Sequence, residues 1–499
     1  MIRLVNRKTA GTAVMWLSLF APLAAAGSVQ DTLALRLGQA IEIALSESPS
    51  VRVADLEVEK KKYARKSGES SLYPQIDAVG QYSRTIKKQV MYMDDAFNME
   101  EMLTPIVAPL IGGAEQTFAE TTPGYVPGTL SGNVLANTPE ATASSGNEGI
   151  AVGRDNNWTG GVNVNWAVVV PALWKSLEIS GLDVERAVES ARSSKINMVN
   201  AVRKAWYGVL LARDARAVLQ ESYDNAILSY SNIRDKFQQG LVSEFDLIRA
   251  DVNVKNIKPD LIQTENACNL ATLSLKALMG IDIDRPVAVE GSLLDYEEGL
   301  YAEILGVDPS LALNSDLRQF DLQHEQLRKT LELYRAQYYP TIALTGNYMY
   351  MSMNNDFRFG DYRWNPYSTI GLSISIPLFD GFRKRSDVRQ TRVSLEQMKW
   401  QREDIVRNLR LAVDNNVNNM TNYVEQVIST RDVVAQAQKG YEISRKLYDT
   451  GMGTLLDLNN AQLGLTQASL AFNQAIYNFL VSKADLDKTL GFEDWNEKQ

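Results

Sequence analysis

The sequence predicts an α+β membrane protein. Four strands per chain would close, with those of other copies, into a β-barrel. Very long helices would continue it as a helical barrel, and the plan is written twice along the chain. Three observations predict this. Two G-x5-D-L-x2-A motifs, Gly240–Ala250 and Gly451–Ala461, lie 211 residues apart. Four stretches of about ten residues alternate apolar and polar side chains. Two stretches of roughly 64 residues carry apolar groups at helical spacing with no proline.

The N-terminus comes first. Arg3, Arg7 and Lys8 precede a short apolar run, Ala13–Gly27, that ends in the small-residue pattern Ala24 to Ala26. This reads as a signal peptide over 1–26 and predicts export. No cysteine follows it to accept a lipid. No other apolar run approaches 18 residues, so the product is expected either to be soluble outside the cytoplasm or to span a membrane as β-strands.

Composition excludes several function classes. The chain has 499 residues with 51 basic and 60 acidic side chains, a net charge of −9. That balance is the wrong sign for nucleic-acid binding. The lone cysteine, Cys268, cannot form an intrachain disulfide, and the lone histidine, His324, lies in a polar helical stretch. Neither a metal-ligand cluster nor a Ser/His/Asp set is legible, so no cofactor and no enzymatic activity are expected.

The repeat sets the domain plan. At the 211-residue offset, Glu185 pairs with Glu396, Tyr230 with Tyr441, Arg234 with Arg445, Leu275 with Leu486 and Gly280 with Gly491. A second alignment joins "SLYPQIDAVGQY" (Ser71–Tyr82) to "QYYPTIALTGNY" (Gln337–Tyr348). The first repeat is placed at 27–290: a helix, strands near 74–90 and 158–170, and a helical hairpin over 172–280. The second is placed at 291–499, with strands near 340–353 and 366–379 and a hairpin over 381–491. The two offsets differ by about 55 residues, assigned to an insertion over 85–157 rich in Gly, Pro, Thr, Ser and Asn, which is loop chemistry. It reads equally as a cap on the outer mouth or as a variable surface loop.

Each strand has an apolar and a polar face. Ile370, Leu372, Ile374 and Ile376 oppose Gly371, Ser373 and Ser375; Val162, Val164 and Trp166 oppose Asn163 and Asn165. Ile342, Leu344 and Tyr348 oppose Thr345 and Asn347, and Ile76 and Ala78 oppose Gln75 and Asp77. Pro74, Pro171, Pro340 and Pro377 mark the joints with helices. The helical stretches near Lys175–Gln238 and Lys384–Tyr448 would each be roughly 95 Å long, suited to a coiled-coil-like array.

Four strands cannot close a barrel, and open edges are not tolerated in lipid. Two chains give eight strands, whose interior is filled by side chains; three give twelve, wide enough for water. The polar faces fit a wet lumen, so the count points to a trimer while leaving other oligomers open.

"LRLGQAIEIALSESPSV" (Leu35–Val51) resembles the opening segment of the TolC family of outer-membrane efflux and secretion ducts. So do the repeated "YPQI" and "YPTI" joints, the strand end "SIPLFDGFRKR" (Ser375–Arg385) and the two glycine turns. The resemblance spans nearly the whole chain after residue 26. It implies a homotrimer with a twelve-stranded barrel in the outer membrane and a helical tube in the periplasm of a Gram-negative bacterium. It also implies two partners, a periplasmic adaptor (membrane fusion) protein and an inner-membrane transporter of RND or ABC type. The glycine turns would be the periplasmic tips. Gly240, Leu241, Val242, Gly451, Met452 and Gly453 would then dock the adaptor. Tyr448, Asp457 and Asp246 match the family's gate residues. Gly453 stands where well-known members carry a gate arginine, Asn460 where they carry a second pore aspartate, and Phe245 where they carry a small polar residue.

Simpler readings exist beside these. Asp246 and Asp457 also suit the first turn of a helix, where an acid complements the macrodipole. Tyr73, Tyr82, Tyr339, Tyr348 and Tyr350 read as an interfacial girdle or as strand packing. A periplasmic coiled-coil adaptor or structural scaffold is the alternative function, but it gives no reason for four alternating strands of bilayer length.

Overall fold

The structure is a computed structural model that describes residues 33–91, 99–121, 126, 150–300 and 310–493. The expected signal peptide lies outside the described residues, as does part of the insertion.

Helix α1 (Leu37–Glu47) buries Leu37, Ala40, Ile41 and Ala44, one face of a 3.6-residue repeat. It ends at Ser48, and Pro49 opens α2 (Pro49–Ser70) at the first helical position, where its missing N–H is harmless. Among the described residues no helix is long and apolar enough to cross a membrane.

The chain divides into two compact units. One draws on Ala64–Ser180 and Lys329–Arg392. Its centre is a four-stranded antiparallel sheet of β2 (Gln75–Arg84), β5 (Asn156–Val169), β7 (Thr341–Asn354) and β8 (Asn365–Ser375), in that order. The register lines up the alternating residues. Asp77, Asn163, Asn347 and Thr369 form one row, and Gln75, Asn165, Thr345 and Gly371 another on the same face. The opposite face carries Ile76, Val164, Gly346 and Ile370 in one row and Trp166, Leu344 and Leu372 in another. Over these rows one face is polar and the other apolar across the strands, while the next row on the polar face is Val79, Gly161, Met349 and Tyr367. Ile370 is 86% exposed on the edge strand β8. At one end of the sheet Tyr82 lies 4.3 Å from Trp158, which meets Phe359 edge-on at 5.2 Å.

Differences from the expected bounds have local causes. β8 stops at Ser375 rather than near 379, because Pro377 cannot donate to a ladder. The 85–157 insertion is not loop throughout. It contains a short ladder of β3 (Gln89–Met91) with β4 (Ile150–Val152), and helix α3 (Met99–Thr121). Pro105, Pro109, Gly112 and Gly113 hide that helix from a composition-based reading.

The other unit draws on Met1–Tyr63, Gly181–Arg328 and Val393–Gln499. Its helices are α4 (Pro171–Gln238, 68 residues), α5 (Glu244–Met279, 36), α6 (Ser315–Ala336), α7 (Arg383–Asp449, 67) and α8 (Leu455–Leu490, 36). α4, α6 and α7 begin within the sheet unit or end there. Helix α5 tolerates Pro259 in its interior. Gly280 and Gly491, both at positive φ, close α5 and α8. The core gathers Val202, Trp206 and Leu210 of α4, Leu275 and Met279 of α5, Val427 of α7, and Ile476 and Phe479 of α8. A parallel ladder of β1 (Leu33–Leu35) with β6 (Val287–Val289) edges this core, and the Arg36 guanidinium meets Glu290 at 3.2 Å.

Candidate functional site at the helical hairpin tips

The two G-x5-D motifs form the turns between α4 and α5 and between α7 and α8, and they are built alike. At the first, Gly240 N–H donates to the Phe237 carbonyl at 2.9 Å, and Leu241 N–H donates to that of Lys236 at 2.9 Å. At the second, Gly451 N–H donates to the Tyr448 carbonyl at 3.1 Å, and Met452 N–H to that of Leu447 at 2.9 Å. Both are Schellman endings, with glycine at φ +70° and +75°. An added Cβ at either glycine meets nothing within 4 Å, so only the left-handed backbone demands glycine there.

Gly453 differs. An added Cβ would lie 3.0 Å from the Leu447 Cβ, because Gly453 N–H turns back to the Leu447 carbonyl at 3.0 Å. A side chain at 453 would therefore require the Leu447 side chain or the turn to give by a few tenths of an ångström.

The next helix starts the same way in each motif. The Ser243 hydroxyl accepts from Asp246 N–H at 3.1 Å and donates to the Asp246 carboxylate at 2.7 Å. The Thr454 hydroxyl accepts from Asp457 N–H at 3.1 Å and donates to the Asp457 carboxylate at 2.6 Å. Asp457 also accepts from Thr454 N–H at 3.4 Å, completing a capping box. Both acids thus hold the first-turn position that the simpler reading assigns them. Position in the cap and electrostatic reach toward a neighbour are compatible.

The tips share a small core. Ile233, Ala250 and Leu455 are buried, with Tyr230, Val242, Leu247 and Tyr448 packed against them. Burial pushes the Tyr448 phenol above its ordinary range, and the nearby carboxylates of Asp246 and Asp449 add to that. Burial likewise raises Tyr441, with the Arg445 charge acting the other way. The Lys236 ammonium lies 5.0 Å from the Tyr448 ring centre.

Asp246 thus acts electrostatically on Tyr448, and the Asp246 and Asp457 carboxylates are each engaged by their own helix cap. Asn460 and Asp457 are exposed on α8. Leu241 (69% exposed) and Met452 (74%) project outward, whereas Val242 turns into the tip core. Phe245 is 63% exposed, with the Arg249 guanidinium 4.6 Å from its ring centre. Sequence reading passed over Lys236, Ser243 and Thr454. Their signals are present: S-x-x-D and T-x-x-D are N-terminal caps, and Lys236 is a last-turn cation. Among the described residues no group of His, Cys, Asp and Glu is placed to hold a metal.

A sequence profile of the family described as outer membrane efflux protein matches residues 134–281 and 307–492. The outer membrane protein TolC of Vibrio cholerae is 19% identical over 341 residues, covering 66% of this chain and 76% of that protein. The toluene efflux pump outer membrane protein TtgC of Pseudomonas putida is 22% identical, covering 64% of this chain and 65% of that protein. In structure, the CmeC outer membrane channel of Campylobacter jejuni superposes with a TM-score of 0.66 at 17% identity, covering 91% of this chain and 85% of that one. With the profile spanning most of the sequence, the chain belongs to the outer membrane efflux protein family.

Proposed function

We propose that the chain is the outer-membrane duct of a tripartite efflux pump or type I secretion system, conducting substrates passively from the periplasm to the exterior. The observation that carries this reading is the register of the four-stranded sheet. In the rows that run from Gln75 and Asp77 to Gly371 and Thr369 one face is polar, the rows between and beside them are apolar on the other, and β2 and β8 have no strand beyond them among the described residues. A sheet with a lipid-compatible face, a water-compatible face and two unpaired edges is completed by copies of itself. Three copies make a twelve-stranded barrel with a wet lumen. The near-equal helix pairs, 68 then 36 residues and 67 then 36, support two copies of one plan in each chain.

Under this reading the hairpin tips are the periplasmic end of a helical tube. Gly240, Leu241, Gly451 and Met452 present the surface to a periplasmic adaptor, with Val242 and Gly453 shaping the turns behind them. Tyr448, Asp246, Asp457, Asn460 and Phe245 form the gate region. Phe245 and Gly453 make its closure apolar and steric rather than a ring of salt bridges. An inner-membrane transporter of RND or ABC type supplies the driving force. The apolar sheet faces also weigh against a periplasmic adaptor or scaffold, which would leave them in water.

Fractionation tests the proposal. The protein is expected in the outer-membrane fraction, resistant to carbonate extraction, running as a heat-sensitive trimer on gels, and forming ion-conducting pores in planar bilayers. Release by carbonate, or a monomer without conductance, would overturn it.

A further inference from the structure

Strand β8 ends at Ser375, but its apolar pattern does not. Ile370, Leu372 and Ile374 are followed at the same two-residue spacing by Ile376 and Leu378, both exposed, Leu378 at 92%. Phe379 and Phe382 come next, also exposed, and their rings meet edge-on at 5.4 Å. Phe382 has φ +66° and is the one non-glycine residue at positive φ among the described residues. A bulky side chain takes that conformation only under strain, yet here the strained residue leaves its ring in water. The charge beside these groups has one sign. Asp380 is the one acid of the turn, against Arg383, Lys384 and Arg385, and the next acid, Asp387, is followed by Arg389 and Arg392. Asp380 accepts from Lys384 N–H at 3.1 Å, and the buried Lys384 places its ammonium 5.6 Å from the Tyr338 ring centre. Arg383 and Arg385 are exposed, with no carboxylate within ion-pair reach among the described residues. Within ten residues of their strands, the other three chain segments at this end of the sheet carry Glu69, Glu178 and Glu332. Each of these is already paired with a base, at 3.0, 2.8 and 3.0 Å. A boundary between hydrocarbon and anionic headgroups satisfies the apolar groups and the arginines together. A second copy would bring its free β2 edge to β8, but the lead-in to β2 holds Arg65 and Lys66 against Glu69, the wrong sign for these arginines.

We propose that the Ile376–Arg385 turn is an interfacial anchor for anionic phospholipid in the leaflet that faces the periplasm. Leu378, Phe379 and Phe382 enter the boundary between acyl chains and headgroups, and Arg383 and Arg385 pair with the headgroup phosphates. The inference rests on the outer-membrane reading and adds to it a lipid of chosen charge at one end of the sheet.

The test uses the full chain reconstituted in phosphatidylcholine vesicles, with spin-labelled phosphatidylglycerol or spin-labelled phosphatidylcholine as the probe. The protein is expected to restrain phosphatidylglycerol about fivefold more strongly, the size of effect one basic side chain has near an anionic lipid. Arg383→Gln combined with Arg385→Gln is expected to abolish most of that preference while conductance stays that of the parent. Excess glycerol phosphate is expected to leave the preference intact, which separates a lipid headgroup from a free phosphate. Depth is read independently of the arginines. In a Cys268→Ser chain, a nitroxide at Leu378→Cys is expected to be reached by oxygen and shielded from a water-soluble nickel chelate, and one at Thr369→Cys the reverse. The 92% exposure of Leu378 leaves room for the label. A conducting protein without phosphatidylglycerol preference, a preference unmoved by the double variant or abolished by glycerol phosphate, or a label at 378 open to the nickel chelate would overturn this inference and leave the duct standing. Protein that neither enters vesicles nor conducts would overturn both.

Discussion

The Lys236 ammonium lies 5.0 Å from the centre of the Tyr448 ring, joining the last turn of α4 to the last turn of α7. Asp246, from the start of α5, acts on the same tyrosine. A cation–π contact at such a partly exposed place is worth about 0.5–1 kcal/mol, enough to bias two arrangements of the tip but not to weld them. Lys236→Ala and Tyr448→Ala are therefore expected to raise the open fraction of single channels in planar bilayers by roughly two- to fivefold. Tyr448→Phe keeps the ring and is expected to stay near the parent. Equal behaviour of all three variants would separate this contact from gating.

Asp457 carries two readings that mutation can divide. Thr454→Ala removes the helix cap at a cost of about 1 kcal/mol and leaves the carboxylate in place. Asp457→Asn removes the charge and leaves most of the cap. If Asp457 lines the pore mouth, Asp457→Asn and Asp457→Ala change cation conductance while Thr454→Ala changes mainly the melting temperature. Conductance unchanged in every Asp457 variant would leave it a capping residue only.

The glycines make a docking prediction with a built-in control. Space is open around Gly240 and Gly451, so Gly240→Asp and Gly451→Asp strain only the left-handed backbone, at about 1 kcal/mol. They are expected to abolish export in cells while the trimer survives on gels. Gly453→Arg is different, because its first carbon already presses on Leu447. It is expected to deform the tip and loosen closure rather than add a lock, read as higher conductance.

Sheet faces give a paired test on neighbouring residues. Ile370 and Thr369 lie side by side on β8 but on opposite faces. Ile370→Lys would place a charge in lipid at about 2–4 kcal/mol near the bilayer midplane, and assembled protein in the outer membrane is expected to fall sharply. Thr369→Lys faces water and is expected to assemble normally. Equal assembly of the two would mean that the faces do not divide lipid from lumen.

A pH prediction comes from a ring of ion pairs near the start of α4. The Lys175 ammonium meets Glu178 at 2.8 Å and Glu332 at 3.0 Å, and Lys329 meets Glu178 at 2.8 Å. The hydrogen bond from Lys175 is the main cause holding both carboxyls below the usual glutamate range. Hydrogen bonds to these glutamates hold both lysines above their ordinary values. Lowered carboxyls stabilise the folded state above their unfolded values, and that contribution is lost as pH falls through the folded ones. Raised lysines stabilise below their unfolded values and lose it as pH rises through the folded ones. The ring is therefore complete between roughly pH 5 and pH 10. Lys329→Ala is expected to lower the melting temperature slightly at pH 7 and not at pH 3, and salt is expected to shrink the difference.

Much of this fold is legible in the sequence because its regularities are long. Two-residue alternation in "STIGLSISIPLF" and absence of proline over dozens of residues are signals that context rarely overrides. Helix α3 is illegible because its prolines and glycines imitate a loop. The tip turns are legible as glycine motifs, but what surrounds them is not. Lys236 reaches Tyr448 across about 212 residues of chain, and no local pattern encodes such a meeting. Val242 could be read as exposed or buried until Ile233 and Leu455 are seen beside it.

The ladder of Leu33–Leu35 with Val287–Val289 has a kinetic meaning. Arg36 and Glu290 are 254 residues apart, so the earliest described segment cannot find its strand partner until more than half the chain has crossed into the same compartment. Leu35 and Ile41, which seal against Leu275 and Met279, must wait with it. An exporting cell thus holds an unfastened intermediate, whose apolar clasp shuts only after the first hairpin has passed. Periplasmic holdases have their longest opportunity to bind there.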